Sequence, residues 1–262
     1  MHDDSTSRIA LVRPPGPLLD AGLVSHIERV PVDTALATSQ WRNYVDAMAD
    51  HGWQIVEVPG ADDCPDAVFV EDTMVMFRNV AVISRPGADP RKPEIVDAEK
   101  SVESLGLSIN RIRPPGTLDG GDVLKIGDTV YVGRGGRTNA EGIRQLRTIL
   151  EPLGATVVAV SLTKVLHLKS AVMALPDGTV VGHPSVVDDP GVFDRFLPVP
   201  EESGAHMVLL GGPKLLMAAD CPMTHELYAD LGYEPVIVDI SEFQKLEGCV
   251  TCLSVRVRHL GT

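Results

Sequence analysis

The chain has 262 residues, room for about one or two domains, and 44% are hydrophobic and 23% charged, which places it with globular rather than disordered proteins. Its 23 Lys and Arg stand against 36 Asp and Glu, a formal charge of −13, so it is not built to neutralise nucleic-acid phosphates or an anionic membrane. No apolar run approaches the roughly 18 residues that span a bilayer, four cysteines are too sparse for a disulfide scaffold, and Met1-His2-Asp3-Asp4-Ser5 lacks signal-peptide character; the expectation is a soluble, cytoplasmic α/β protein.

Ile9–Val12 is the first strand-length apolar run, and Thr34–His51 follows as an amphipathic helix whose apolar face uses Leu36, Tyr44, Val45 and Met48. Gly52 fits a helix stop before a strand at Trp53–Val58. Met74–Phe77 and Val80–Ser84 read as a hairpin turning at Arg78-Asn79, and Gly106 precedes a strand at Leu107–Ile112. Further hairpins are expected at Asp122–Ile126 with Thr129–Gly133, at Ala171–Leu175 with Thr179–Val181, and at Met207–Leu210 with Lys214–Met217. Gly154 and Gly232 again precede strands, at Ala155–Val160 and Tyr233–Val238. The unit hairpin, helix, strand recurs, with its glycine markers at 52, 106 and 154 lying 54 and 48 residues apart. Such a period implies about five units around one core, a single domain over residues 1–262. Cys252–Val257 is placed to pair with Ile9–Val12 and close a ring without exposed edges. An open α/β sandwich is the alternative.

Five segments are too polar for their positions. Pro65–Thr73 places Asp66, Glu71 and Asp72 around an apolar strand, a costly arrangement unless cations meet them, or else a solvated strand end. Asp119-Gly120-Gly121-Asp122 permits a tight turn before a strand that presents Asp119 inward, and it is also ordinary turn composition. His167 lies in an apolar run with Lys169 two residues on; it suits proton transfer near neutrality, although a lone core histidine is the commoner reading. Glu247–Ser254 holds Cys249 and Cys252. Three readings stay open there: a redox pair, half of a zinc site completed by Cys221 and His225, or a single catalytic thiol paired with His167 and an acid. Arg85 and Arg137 sit in glycine-containing loops from which a guanidinium can grip a carboxylate, unless they are simply exposed. No phosphate-binding glycine loop is present, and no nucleotide cofactor is indicated. Cys64 and Cys221 read as structural, Trp41 and Trp53 as packing between helix and strand, and His183, His206 and His259 as belonging to no constellation.

Taken in order, Phe69–Thr73, Ser84–Ala88, Leu118–Asp122, Arg137–Gly142, Val165–Ser170 and Val238–Ser254 resemble the dimethylarginine dimethylaminohydrolases of the guanidine-modifying (pentein) superfamily, over about residues 8 to 258. The resemblance implies a five-bladed pseudo-fivefold α/β propeller with the active site in a central channel, no cofactor, no metal, a methylated arginine as small-molecule substrate, and a monomer or homodimer. It implies Cys252 as nucleophile, His167 as general acid/base and Asp119 as its partner. Asp72, supported by Glu71, would hold the guanidinium. Asp66 with the backbone carbonyls of Leu23 and Leu246 would take the α-amino group, and Arg85 and Arg137 the α-carboxylate. Leu23 falls in a stretch matching the family's mobile lid. Arginine deiminases and amidinotransferases end in a similar Cys-x-x-Cys whose first cysteine reacts, which leaves Cys249 as the second candidate. The expected reaction is hydrolysis to citrulline and a methylamine through a covalent thiouronium. The rivals are deimination or amidino transfer, and, outside enzymes, a non-catalytic pentein-fold or zinc-binding protein.

Overall fold

The computed structural model describes residues 8–258; the amino-terminal segment and His259 weighed above lie outside them. In chain order the strands and helices are β1 (Ile9–Val12), α1 (Thr34–Asp50), β2 (Gln54–Glu57), β3 (Met74–Phe77), β4 (Val80–Ile83), α2 (Ile95–Glu103), β5 (Ser108–Arg111), β6 (Val123–Ile126), β7 (Thr129–Arg134), α3 (Ala140–Leu150) and β8 (Thr156–Ser161). They continue with β9 (Val172–Ala174), β10 (Val180–Gly182), β11 (Phe196–Pro198), β12 (Val208–Gly211), β13 (Lys214–Ala218), α4 (Pro222–Asp230), β14 (Glu234–Val238), α5 (Ser241–Gln244) and β15 (Val255–Val257).

The strands form five three-stranded sheets, β15-β1-β2, β3-β4-β5, β6-β7-β8, β9-β10-β11 and β12-β13-β14. In each, the middle strand pairs antiparallel with the first and parallel with the third, as in β3-β4-β5. The chain closes on itself where β15 pairs with β1, Ile9 opposite Val257 and Leu11 opposite Val255. Residues of β3, β6, β9, β12 and β15 line one cavity of about 230 Å³, so the first strand of every sheet faces a central channel. The fold is therefore the five-bladed ring, and the open sandwich is excluded.

Local chemistry explains the blades. Asp33 caps α1 by accepting the Ala35 and Leu36 amides, and Asn139 caps α3 through the Gly142 amide. Gly52, Gly106, Gly154 and Gly232 all take positive φ, between 75° and 90°, at the turns that return each chain segment to its sheet. The helices wedge between neighbouring blades: Ile143, Leu146 and Leu150 of α3 pack on Val130 and Val132 and also on Val80 and Val82. Each fully buried side chain of that size contributes about 2 kcal/mol. Trp41 and Trp53 do pack in a shared helix–strand cluster.

Two expectations are corrected. Leu36 is exposed, and α1 buries Ala37, Gln40, Trp41, Tyr44 and Met48. The 37, 41, 44, 48 stripe is one helical face, and Leu36 lies about 100° off it. The fourth blade lacks its helix: β10 connects to β11 through residues 183–195, which hold only a 3-10 turn, Pro190–Val192. Pro184, Pro190 and Gly191 break helices there, which also explains the missing fourth glycine marker. Among the described residues, no helix is long and apolar enough to cross a membrane.

Candidate active site

The pseudo-symmetry places the chemistry. A tight turn precedes each first strand: 3-10 turns at Val70–Thr73, Gly120–Asp122, Leu168–Ser170 and Ser203–Ala205, and the turn at Cys249–Leu253 before β15. Those turns carry Glu71 and Asp72, Asp119, His167, His206 and Cys252. The first of them is a helical turn rather than the strand expected at Pro65–Thr73, so Glu71 and Asp72 diverge around a turn instead of across a pleat.

Asp119, fully buried, accepts a hydrogen bond from the Gly87 amide at 2.9 Å and lies 2.9 Å from His167 Nε2. His167 Nε2 is also 3.9 Å from Asp72 Oδ1. Burial opposes the imidazolium, but the charge of Asp72 and the Asp119 hydrogen bond outweigh it and raise His167 to about 9. Burial would also raise Asp72; the His167 and Arg91 charges and the Gly121 amide overcome it and hold the carboxyl well below the usual range. Asp72 Oδ2 receives Arg91 at 2.6 Å, and Arg91 grips Glu94 with two further donors.

Cys252 is buried, its carbonyl receives the Glu71 amide, and its sulfur lies 3.3 Å from that of Cys249. The shared hydrogen bond, burial, and the negative charges of Glu71 and Asp72 drive the Cys252 thiol upward, while that same bond draws Cys249 down. A cation bound against Asp72 would offset that carboxylate's share of the effect on Cys252. Both cysteines stand in a turn that leads into a strand and not at a helix N-terminus, the usual setting of a redox pair.

Asp66 is buried and accepts the Leu23 amide at 3.0 Å, while burial raises its pKa. Leu246 comes into the same corner, since a methyl group at Gly22 would lie 2.9 Å from Asp66 and 3.3 Å from Leu246. The Leu23 contact is thus made by its N–H. Residues beyond it are tied down by Glu247, which accepts the Ser25 and His26 amides.

Arg137 reaches Asp119 at 3.4 Å. Arg85 does not join it: it bridges to Leu118 and donates to the Gly116 carbonyl, because the chain turns inward only at the 3-10 turn Asp89–Glu94. That turn delivers Arg91, which sequence reading missed although the adjacent Arg85 motif was noticed. Glu71 lies between Lys169 at 2.6 Å and Arg256 at 2.5 Å and accepts the Thr251 hydroxyl. Asp122 was also missed. It accepts the Leu168 amide and the Thr138 hydroxyl, and burial lifts it to about 7. The Asp-Gly-Gly-Asp motif was its only signal.

Glycine is required where two of these turns meet. A methyl group at Gly121 would sit 2.6 Å from Asp72 Oδ1 and 2.8 Å from His167 Nδ1. Gly121→Ala is expected to lower kcat/KM about 10²-fold through displacement of one of these groups, with the fold unchanged by circular dichroism.

Asp72, Asp119 and His167 offer ligand atoms within 4.8 Å of one another. Arg91 and Arg137 already lie on the two carboxylates and oppose a metal cation there. The zinc set of Cys221, His225, Cys249 and Cys252 is not assembled among the described residues: Cys221 bonds His225 and the Ala218 carbonyl inside another core cluster.

A closed ring of five blades with a buried thiol, imidazole and carboxylates at the blade entries defines the pentein class, and residues 61–218 match the arginine deiminase family. The N-terminal domain of a cyanobacterial arginine dihydrolase, 19% identical, shares the fold with a TM-score of 0.81 over 96% of this chain and 98% of that one. A dimethylarginine dimethylaminohydrolase of Streptomyces coelicolor is 66% identical over 97% of this chain and 98% of its own length. The Pseudomonas aeruginosa enzyme of that name, solved as a cysteine-to-serine variant complexed with citrulline, is 35% identical with a TM-score of 0.88, over 95% and 98% of the two chains. The chain belongs to the dimethylarginine dimethylaminohydrolase family.

Proposed function

We propose that the protein hydrolyses Nω-methylated arginine to citrulline and a methylamine, using Cys252 as nucleophile. The observation that carries this reading is Asp72, a buried carboxylate held ionised 3.9 Å from His167 whose charge also bears on Cys252. It is placed to hold a planar cation between the two reacting groups.

The guanidinium carbon is a poor electrophile because its charge is delocalised. Asp72 fixes its plane, and the bound cation favours the Cys252 thiolate. The sulfur attacks the central carbon, and His167, oriented by Asp119, gives a proton to the departing methylamine. The thiouronium left on Cys252 is then attacked by water, whose proton His167 takes up, and citrulline leaves as the thiolate returns. The reading uses no cofactor. Glu71 acts from behind through Thr251 and the Cys252 carbonyl.

Asp66 takes the α-amino group, with the backbone of Leu23 and Leu246 beside it. The cations that bear on Asp66 are Arg91 and Arg137, so a carboxylate adjacent to that amine meets these two; Arg91 replaces Arg85 in this role. Chain closure through β1 and β15 supports a single propeller domain over residues 1–262. Four cysteines, none in a disulfide, suit a reducing cytoplasmic setting, and the protein is read as a monomer or homodimer.

Product analysis with arginine, monomethylarginine and asymmetric dimethylarginine side by side tests the reading. Citrulline is expected from the methylated substrates with release of a methylamine. Faster turnover of unmethylated arginine, or transfer of the amidino group to an added amine, would overturn it in favour of the deiminase or transferase reading.

A further inference from the structure

We propose that the central channel holds a binding site for a small multivalent oxyanion, inorganic phosphate or a compact polycarboxylate, on the far side of Glu71 from the reacting groups. The channel cavity, about 230 Å³, is lined by the charged side chains Lys125, Lys169, Arg256 and Arg258 and by one carboxylate, Glu71. A neighbouring cavity of about 430 Å³ shares Lys125, Arg256 and Arg258 with it and adds Arg78, which is already paired with Asp128 at 3.1 Å. In a chain of net charge −13 this is a local excess of three positive charges.

Glu71 cannot balance that excess, since one of its oxygens receives both Lys169 and Arg256 and the other receives Thr251. Arg256 is otherwise held by the Thr251 and Ser254 carbonyls, both on Nη1, and serves as a wall. Lys125, by contrast, meets only the Met76 carbonyl among the described residues, and an ammonium has three donors. Arg258 donates to the Leu209 carbonyl and lies over the Trp53 ring, 5.2 Å from its centroid, which fixes its guanidinium at the mouth. Lys125 is an exposed side chain of β6, so its remaining donors are open to a bound anion, and the charges of Lys169, Arg258 and Arg256 all bear on it. A monovalent anion would leave most of the excess standing; a phosphate or polycarboxylate carries enough charge and acceptors to engage both lysines and Arg258 at once. The channel thus has two electrostatic halves: one built of Asp66, Asp72 and Asp119 for a cation, and one of Lys125, Lys169 and Arg258 for an anion.

The test is calorimetric titration of the purified protein with inorganic phosphate and, separately, citrate, against sodium chloride at matched ionic strength. Saturable one-site binding of phosphate or citrate is expected, and it should weaken roughly tenfold or more in Lys125→Ala/Arg258→Ala, with citrulline production unchanged. Should that double variant not fold, Lys125→Met, which keeps the aliphatic stem, gives the same comparison. Absence of saturable heat, a chloride titration that reproduces it, affinity unaltered by the substitutions, or displacement of the anion by citrulline would each overturn the proposal.

Discussion

Cys252→Ser is expected to lower citrulline production by at least about 10⁴-fold while substrate binding and fold persist. The serine hydroxyl is smaller and occupies the same turn before β15, so the backbone bonds from Glu71 to residue 252 and from residue 252 to Cys249 remain. It has no accessible anion, and a bound cation can activate a thiol but not an alcohol by this route. The companion variant Cys249→Ala should retain most of the activity, because the charge of Asp72 bears on the Cys252 thiol, whereas the Cys249 sulfur meets Thr251 and Cys252. Steady-state kinetics decides it: loss in the alanine variant and survival in the serine variant would move the nucleophile to Cys249.

His167→Ala is expected to cost about 10²- to 10⁴-fold and to leave the thiouronium on Cys252, visible as added mass on the intact protein. The pH dependence follows from the same geometry. The folded enzyme raises His167 to about 9, so the imidazolium that protonates the departing amine is lost as pH rises through that value. The alkaline limb of kcat/KM should fall there, and Asp119→Asn, which removes the negative charge beside Nε2, should move it to lower pH. Because the ordinary value is 6.5, the same interaction stabilises the fold fully below that pH, and its contribution disappears as pH passes about 9. An alkaline limb that ignores Asp119→Asn would remove His167 as the proton donor.

The repeat was legible because its physics is local. Four glycines at left-handed turns and four hairpins repeat within one chain, and each needs only its neighbours to form. Where breakers replace the pattern, at residues 183–195, the helix is absent as well. Asp66, Asp72, Asp119, His167 and Cys252 were visible as polar residues in apolar runs, which only a buried site justifies. Arg91, the role of Asp122 and the pairing of Glu71 with Lys169 and Arg256 were not, because the contacts that define them, Arg91 to Asp72, Asp122 to Thr138 and Leu168, and Glu71 to Lys169 and Arg256, join residues 16 to 185 apart.

From the sequence alone came the ring of five units, its closure through β1 and β15, and the residue types its chemistry needs. Only the tertiary structure decided which cations face which carboxylates: that Arg91 turns inward where Arg85 turns to Gly116, and that Glu71 and Asp72, neighbours in one turn, serve opposite halves of the channel. The reason is range. Turns and strands follow from steric and hydrogen-bonding preferences within a few residues, whereas the pairing of buried charges depends on where five blades bring their entries together.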